Sequence, residues 1–196
     1  MKNISHAAGA VAGFVRRLAI QSVEAQAFEG ERFGDVGSYR MVKARAFCEL
    51  DPSHALNRTL VGLEHAPRNA AGRIEYDVDV CVLHPNDPAK SNGWLLYEVP
   101  NRGNKLVISR MNNAVAKNAP SLRADAGDGL LMRMGFTLVW SAWQGDAPPG
   151  NDRMQASLPS AGASVRGSSR EEFIPEPSLT NESVKRLPDG RFVGTL

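Results

Sequence analysis

Two apolar runs in this chain end in polar turns, and the residues at those ends are of the types that handle anions. The first run, LLYEV at 95–99, passes through Pro100 into Asn101, Arg102, Gly103 and Asn104, with Lys105 next. The second, FTLVWSAW at 136–143, gives way to Gln144, Gly145 and Asp146. Loops at the carboxyl ends of strands can aim backbone N–H groups at an anion or a developing oxyanion, and glycine lets a backbone approach closely. Arg102 carries the fork that grips a carboxylate at two points, and Lys105 would add a point charge. The alternative for Arg102 is an ion pair with Glu98 or Asp146 that only pins the turn. At the second exit, Trp143 either stacks on a ligand or packs under a neighbouring element, with Gln144 beside it. Asp146 either contacts a ligand or simply opens the Pro-rich loop that follows.

Other chemistries find less material. Nucleophilic catalysis needs a serine or cysteine, a base within reach and a group to orient that base. The Gly-x-Ser-x-Gly elbow is absent; the nearest text, GASVRG at 162–167, puts Arg166 where the second glycine belongs. All four histidines, His6, His54, His65 and His84, precede the two runs and read as structural or surface residues. No His, Asp or Glu spacing suits a metal, and there is neither a GxGxxG nor a phosphate-binding GxxxxGK[ST] motif, so no cofactor is expected. Asp77 and Asp79 share one face of a strand and read as a solvated edge guard. Cys48 and Cys81 are too few for a disulfide framework, and free thiols in a reducing, cytoplasmic setting are the plain expectation.

The elements that must position these residues follow from periodicity. The chain has 196 residues, 42% of them hydrophobic, enough for one core, and its net charge of +2 comes from 23 basic and 21 acidic residues spread along it. That balance argues against nucleic acid and anionic membranes as partners, and no run approaches the ~20 apolar residues of a spanning helix. Residues 1–13 read as a disordered or helical leader: the stretch HAAGAVAGFV has its arginines on the wrong side for a signal peptide. Residues 14–90 form a β-rich section. MVKARAFCEL at 41–50 and RIEYDVDVCVLHP at 73–85 alternate with the two-residue period of half-buried, antiparallel strands. Residues 93–146 read as a strand–helix–strand unit. Both apolar runs are continuous enough for parallel strands covered on both faces, and GDGLLMRMG at 127–135 supplies a helix ending at Gly135. A Pro, Gly and Ser-rich linker follows, then a strand within 165–174, then 175–196 as linker, a Pro-Asp-Gly turn at 187–192 and a truncated strand.

Taken together, APRNAAGRIEYDVDVCVLHPNDP, GWLLYEVPNRGNK, GDGLLMRMGFTLVWSAWQGDAPPG and VRGSSREEFI resemble a bacterial group called alpha/beta hydrolase domain-containing proteins. The resemblance covers most of residues 28–174 and is most specific in VPNRGNK with the GF-LVWS-WQGD pattern. It implies an α/β fold, an incomplete α/β-hydrolase-type sheet preceded by the antiparallel β-rich section, within domain residues 14–174. It further implies that Asn101, Arg102 and Gly103 occupy the loop supplying an oxyanion-hole N–H, with Lys105, Trp143, Gln144 and Asp146 toward the substrate. The serine, acid and histidine would lie downstream of Leu196, so the expectation is the N-terminal part of a serine-type esterase-like hydrolase, inactive alone, whose full-length form takes a small-molecule ester. The rival expectation is a non-catalytic module that binds a carboxylate ligand or a protein.

Overall fold

The computed structural model describes residues 11–162, 165, 166, 168, 184–186 and 192–194. Two units separate, 1–162 and 163–196. In the second, β7 (Val184–Arg186) pairs antiparallel with β8 (Phe192–Gly194). Residues 1–10 of the expected leader, most of the strand expected within 165–174 and the body of the turn at 187–192 lie outside the described residues.

The first unit is built on three long strands. β1 (Gly13–Glu24), β2 (Tyr39–Leu50) and β3 (Ile74–Pro85) run antiparallel in sequence order. Twelve consecutive residue pairs join β2 to β3, from Tyr39 opposite Pro85 to Leu50 opposite Ile74. β4 (Leu95–Glu98) and β5 (Thr137–Ser141) complete the row in the order β1-β2-β3-β5-β4, and β6 (Ala156–Ser157) pairs with β3 beside β5. β5 is antiparallel to β3 and parallel to β4, with Glu98 opposite Trp140.

Cross-strand partners share a face, so the register sorts the side chains. Tyr39, Met41, Cys81, Leu83, Leu138 and Trp140 line one face and form the core with Phe28, Phe33, Ile108, Leu131, Met132 and Met154. Tyr39, Leu83, Leu138 and Trp140 are fully buried, and the two leucines each contribute ~1.5–3 kcal/mol by the usual transfer scale. Farther along β2 and β3 this face turns polar, with Lys43, Arg45, Asp77 and Asp79. The other face carries Val15, Leu18, Ile20 and Val23 of β1, all more than half exposed, beside buried Ala44, Ala46, Cys48 and Val78.

An incomplete α/β-hydrolase-type sheet is overturned by this arrangement. Among the described residues the first unit is a mixed sheet of six strands with a single parallel pair, and the α-helices are α1 (Val107–Met111) and α2 (Leu130–Arg133), five and four residues long. Sequence explains the missing helical layer: between β4 and β5 the chain carries glycines with positive φ at 103, 127, 129 and 135, and Asn113 with φ 53. Gly129 and Gly135 bracket α2, so one turn forms and cannot propagate. Gly135 does end it as expected, with its N–H donating to Met132 O at 3.0 Å. The inward residues are Leu131 and Met132, whereas Leu130 and Met134 are exposed.

Candidate functional site

The two exits of the parallel pair meet. After β4, Asn101 and Asn104 exchange backbone hydrogen bonds of 3.2 and 3.0 Å across Arg102 and Gly103, whose φ values are 49° and 81°. Positive φ at both central positions is the type I′ pattern, which glycine adopts freely and arginine does not. The arginine is held by its neighbours: its N–H donates to Gln144 Oε1 at 2.7 Å, and its guanidinium donates to Asp146 Oδ2 at 2.9 Å and to Asp146 O at 3.0 Å. Trp143 Nε1 donates to Pro100 O at 2.8 Å while the residue stays 53% exposed. Arg102, Trp143, Gln144 and Asp146 are thus brought together as one latch, and Asp146 rather than Glu98 is the partner of Arg102.

Gly103 is buried in this latch. A Cβ there would lie 2.5 Å from Met154 O, and Gly103 O accepts from Met154 N at 2.9 Å. Its own N–H has no hydrogen-bond acceptor among the described residues. Glu98 turns instead to the other side of the strand exit. It accepts from Leu106 N at 2.8 Å, Val107 N at 2.9 Å and Trp140 Nε1 at 2.5 Å, capping α1 and tying it to β5.

Lys105 is not part of the latch. It is 7% exposed and points to the core side, where its Nζ donates to Asn118 O at 2.5 Å and its N–H to Asn118 Oδ1 at 3.0 Å. Burial pulls its ammonium below the ordinary 10.5, and Lys43 adds to that, against Cys81, Asp152 and Asp79. The buried Cys81 thiol is pushed up by burial, with Lys105 and Lys43 opposing. Asn118 is the hub that sequence reasoning misses, since its Nδ2 also reaches Asn104 Oδ1 at 3.0 Å and Asn151 O at 2.7 Å. Its signal is slight, one asparagine in a polar loop.

Asp77 and Asp79 do not guard an edge. β3 is central, and both carboxylates pair with Arg45, which also donates to Gln155 O at 3.0 Å and Ser157 Oγ at 2.7 Å. Asp79 Oδ2 accepts from Gln155 N at 2.8 Å. This network fastens the 155–157 segment to the sheet. Histidine roles are local: His54 Nδ1 accepts from Leu56 N at 3.2 Å, and His65 lies 3.5 Å from Glu64. Cys48 and Cys81 are free and buried. Comparison with protein-family models, curated proteins and solved structures finds no match to this chain, so the resemblance rests on the quoted residues alone.

Proposed function

We propose that this chain serves acyl transfer from an ester or related compound, as the part of a serine-type hydrolase that carries the oxyanion loop and brings no Gly-x-Ser-x-Gly nucleophile of its own. The observation supporting this is the N–H of buried Gly103, without an acceptor among the described residues where the exits of two parallel strands are latched together. A buried donor without a partner costs free energy, and an oxyanion placed there would satisfy it. As a serine hydroxyl attacks the acyl carbon, the carbonyl oxygen gains charge, and one preorganised donor is commonly worth ~3 kcal/mol at that stage. Arg102 acts as a positioning residue. Its guanidinium is neutralised by Asp146, so it holds the turn and leaves the donor role to the backbone.

The rival reading, in which Arg102 grips a carboxylate ligand, loses support because its fork already holds Asp146. Two measurements test the proposal. The purified chain should neither turn over p-nitrophenyl acetate nor be labelled by a fluorophosphonate; a labelled serine would show that a nucleophile is present after all. In an amide NMR titration with a methylphosphonate monoester, the Gly103 resonance should shift saturably, and an unmoved Gly103 signal sinks the oxyanion role.

A further inference from the structure

A second cluster of cationic side chains lies on the core side of the sheet, against the same 153–154 segment that packs on Gly103 of the latch. A cavity of about 170 Å³ opens between β2, β3 and the 152–154 segment, and three cationic side chains line it: Lys43, Lys105 and Arg153. Lys43 and Cys81 are direct cross-strand partners on its floor. The Lys105 ammonium has three N–H donors but a single acceptor, Asn118 O, and no carboxylate close enough for an ion pair among the described residues. Arg153 Nε is buried with no hydrogen-bond partner. Two acidic residues also line the cavity; both act on Lys105 at longer range, and neither forms an ion pair with it among the described residues. Asp79 has both oxygens committed, to Arg45 and to Gln155 N, while Asp152 is exposed to solvent.

Desolvated cations are retained when an opposite charge meets them, and a buried N–H without an acceptor needs the same explanation. We propose that this cavity binds a small oxyanion, a carboxylate or a phosphate, held by Lys105 Nζ, Arg153 Nε and Lys43. The space equals nearly six waters at ~30 Å³ each, which suits an anion of a few heavy atoms. Binding the anion supplies the acceptors that Lys105 and Arg153 lack and raises the charged fraction of Lys105.

The test is a melting and calorimetric titration of the full chain with sodium phosphate and with sodium acetate, against sodium chloride at matched ionic strength. At least one anion should raise the melting temperature saturably beyond chloride, because a ligand of the folded state stabilises it by mass action. Which anion does so separates a tetrahedral from a carboxylate ligand. Lys43→Gln, Lys105→Met and Arg153→Met should each weaken binding at least tenfold, with Arg16→Gln, far from the cavity, as the unchanged control. Lys43 is only half-buried, so its variant keeps the test sound if Lys105→Met fails to fold. No effect beyond chloride for either anion, or undiminished affinity in Lys43→Gln, overturns the proposal and leaves the cavity as a water-filled void.

Discussion

Gly103 stands at a position where a single added carbon meets backbone. Its φ of 81° and the 2.5 Å approach of a would-be Cβ to Met154 O leave no room for alanine. Gly103→Ala should destabilise the chain by about 1–3 kcal/mol, read as a lower urea midpoint with an unchanged m-value. Sequence places a turn at this glycine, because an apolar run breaking into Asn-Arg-Gly-Asn is a turn on composition alone, and the close contact with Met154 comes from the fold. It leaves two partners open for Arg102, and only the parallel alignment of β4 and β5 brings Asp146 to it. Position in the chain groups Lys105 with the turn. Its actual company, Lys43, Cys81 and Arg153, is assembled by the pairing of β2 with β3 and by the return of the 152–154 segment. Such neighbours are distant in sequence and leave no local pattern.

At the scale of elements, legibility follows regularity. β2 and β3 announce themselves through a two-residue period, and β4 and β5 through continuous apolar runs that do form the parallel pair, although β4 lies at the sheet edge with Leu95 and Tyr97 exposed rather than covered on both faces. β1 reads poorly because its register slips between Val15 and Arg17 and again between Ile20 and Ser22. Each extra residue reverses the alternation, so no period survives along the strand. The spacing in α2 fits a helical layer, but its flanking glycines confine it to one turn. What α2 does is receive β2: the Tyr39 hydroxyl lies 3.0 Å from Met132 O and 3.1 Å from Phe136 O. Tyr39→Phe removes this donor, leaving Met132 O with its Gly135 N–H but taking the hydroxyl from Phe136 O, so a loss of about 1 kcal/mol is expected in chemical denaturation.

The whole molecule should be sensitive to alkali. Burial raises the thiols of Cys48 and Cys81 above their ordinary 9.0 and the phenols of Tyr39 and Tyr76 above 10.0. For each, the unfolded chain releases its proton first, so the associated stability is complete below the ordinary value and is lost as pH rises toward the folded one. The melting temperature should therefore fall above pH 9 and more steeply above pH 10. Lys105 works the other way: its lowered value means the folded state sheds a proton early, which favours folding as pH climbs toward 10.5. Lys105→Met should make the alkaline decline steeper, and proton release measured on unfolding checks both signs. The strand order also bears on how quickly the chain finds its structure. Partners in β1, β2 and β3 are sequence neighbours in a simple meander, whereas β5 must bring Ser141 back to Val80. Short closures cost less entropy, so the meander forms first on refolding and β5 docks after the barrier. Stopped-flow kinetics should show Ala46→Gly slowing refolding, while Leu138→Val acts mainly by accelerating unfolding.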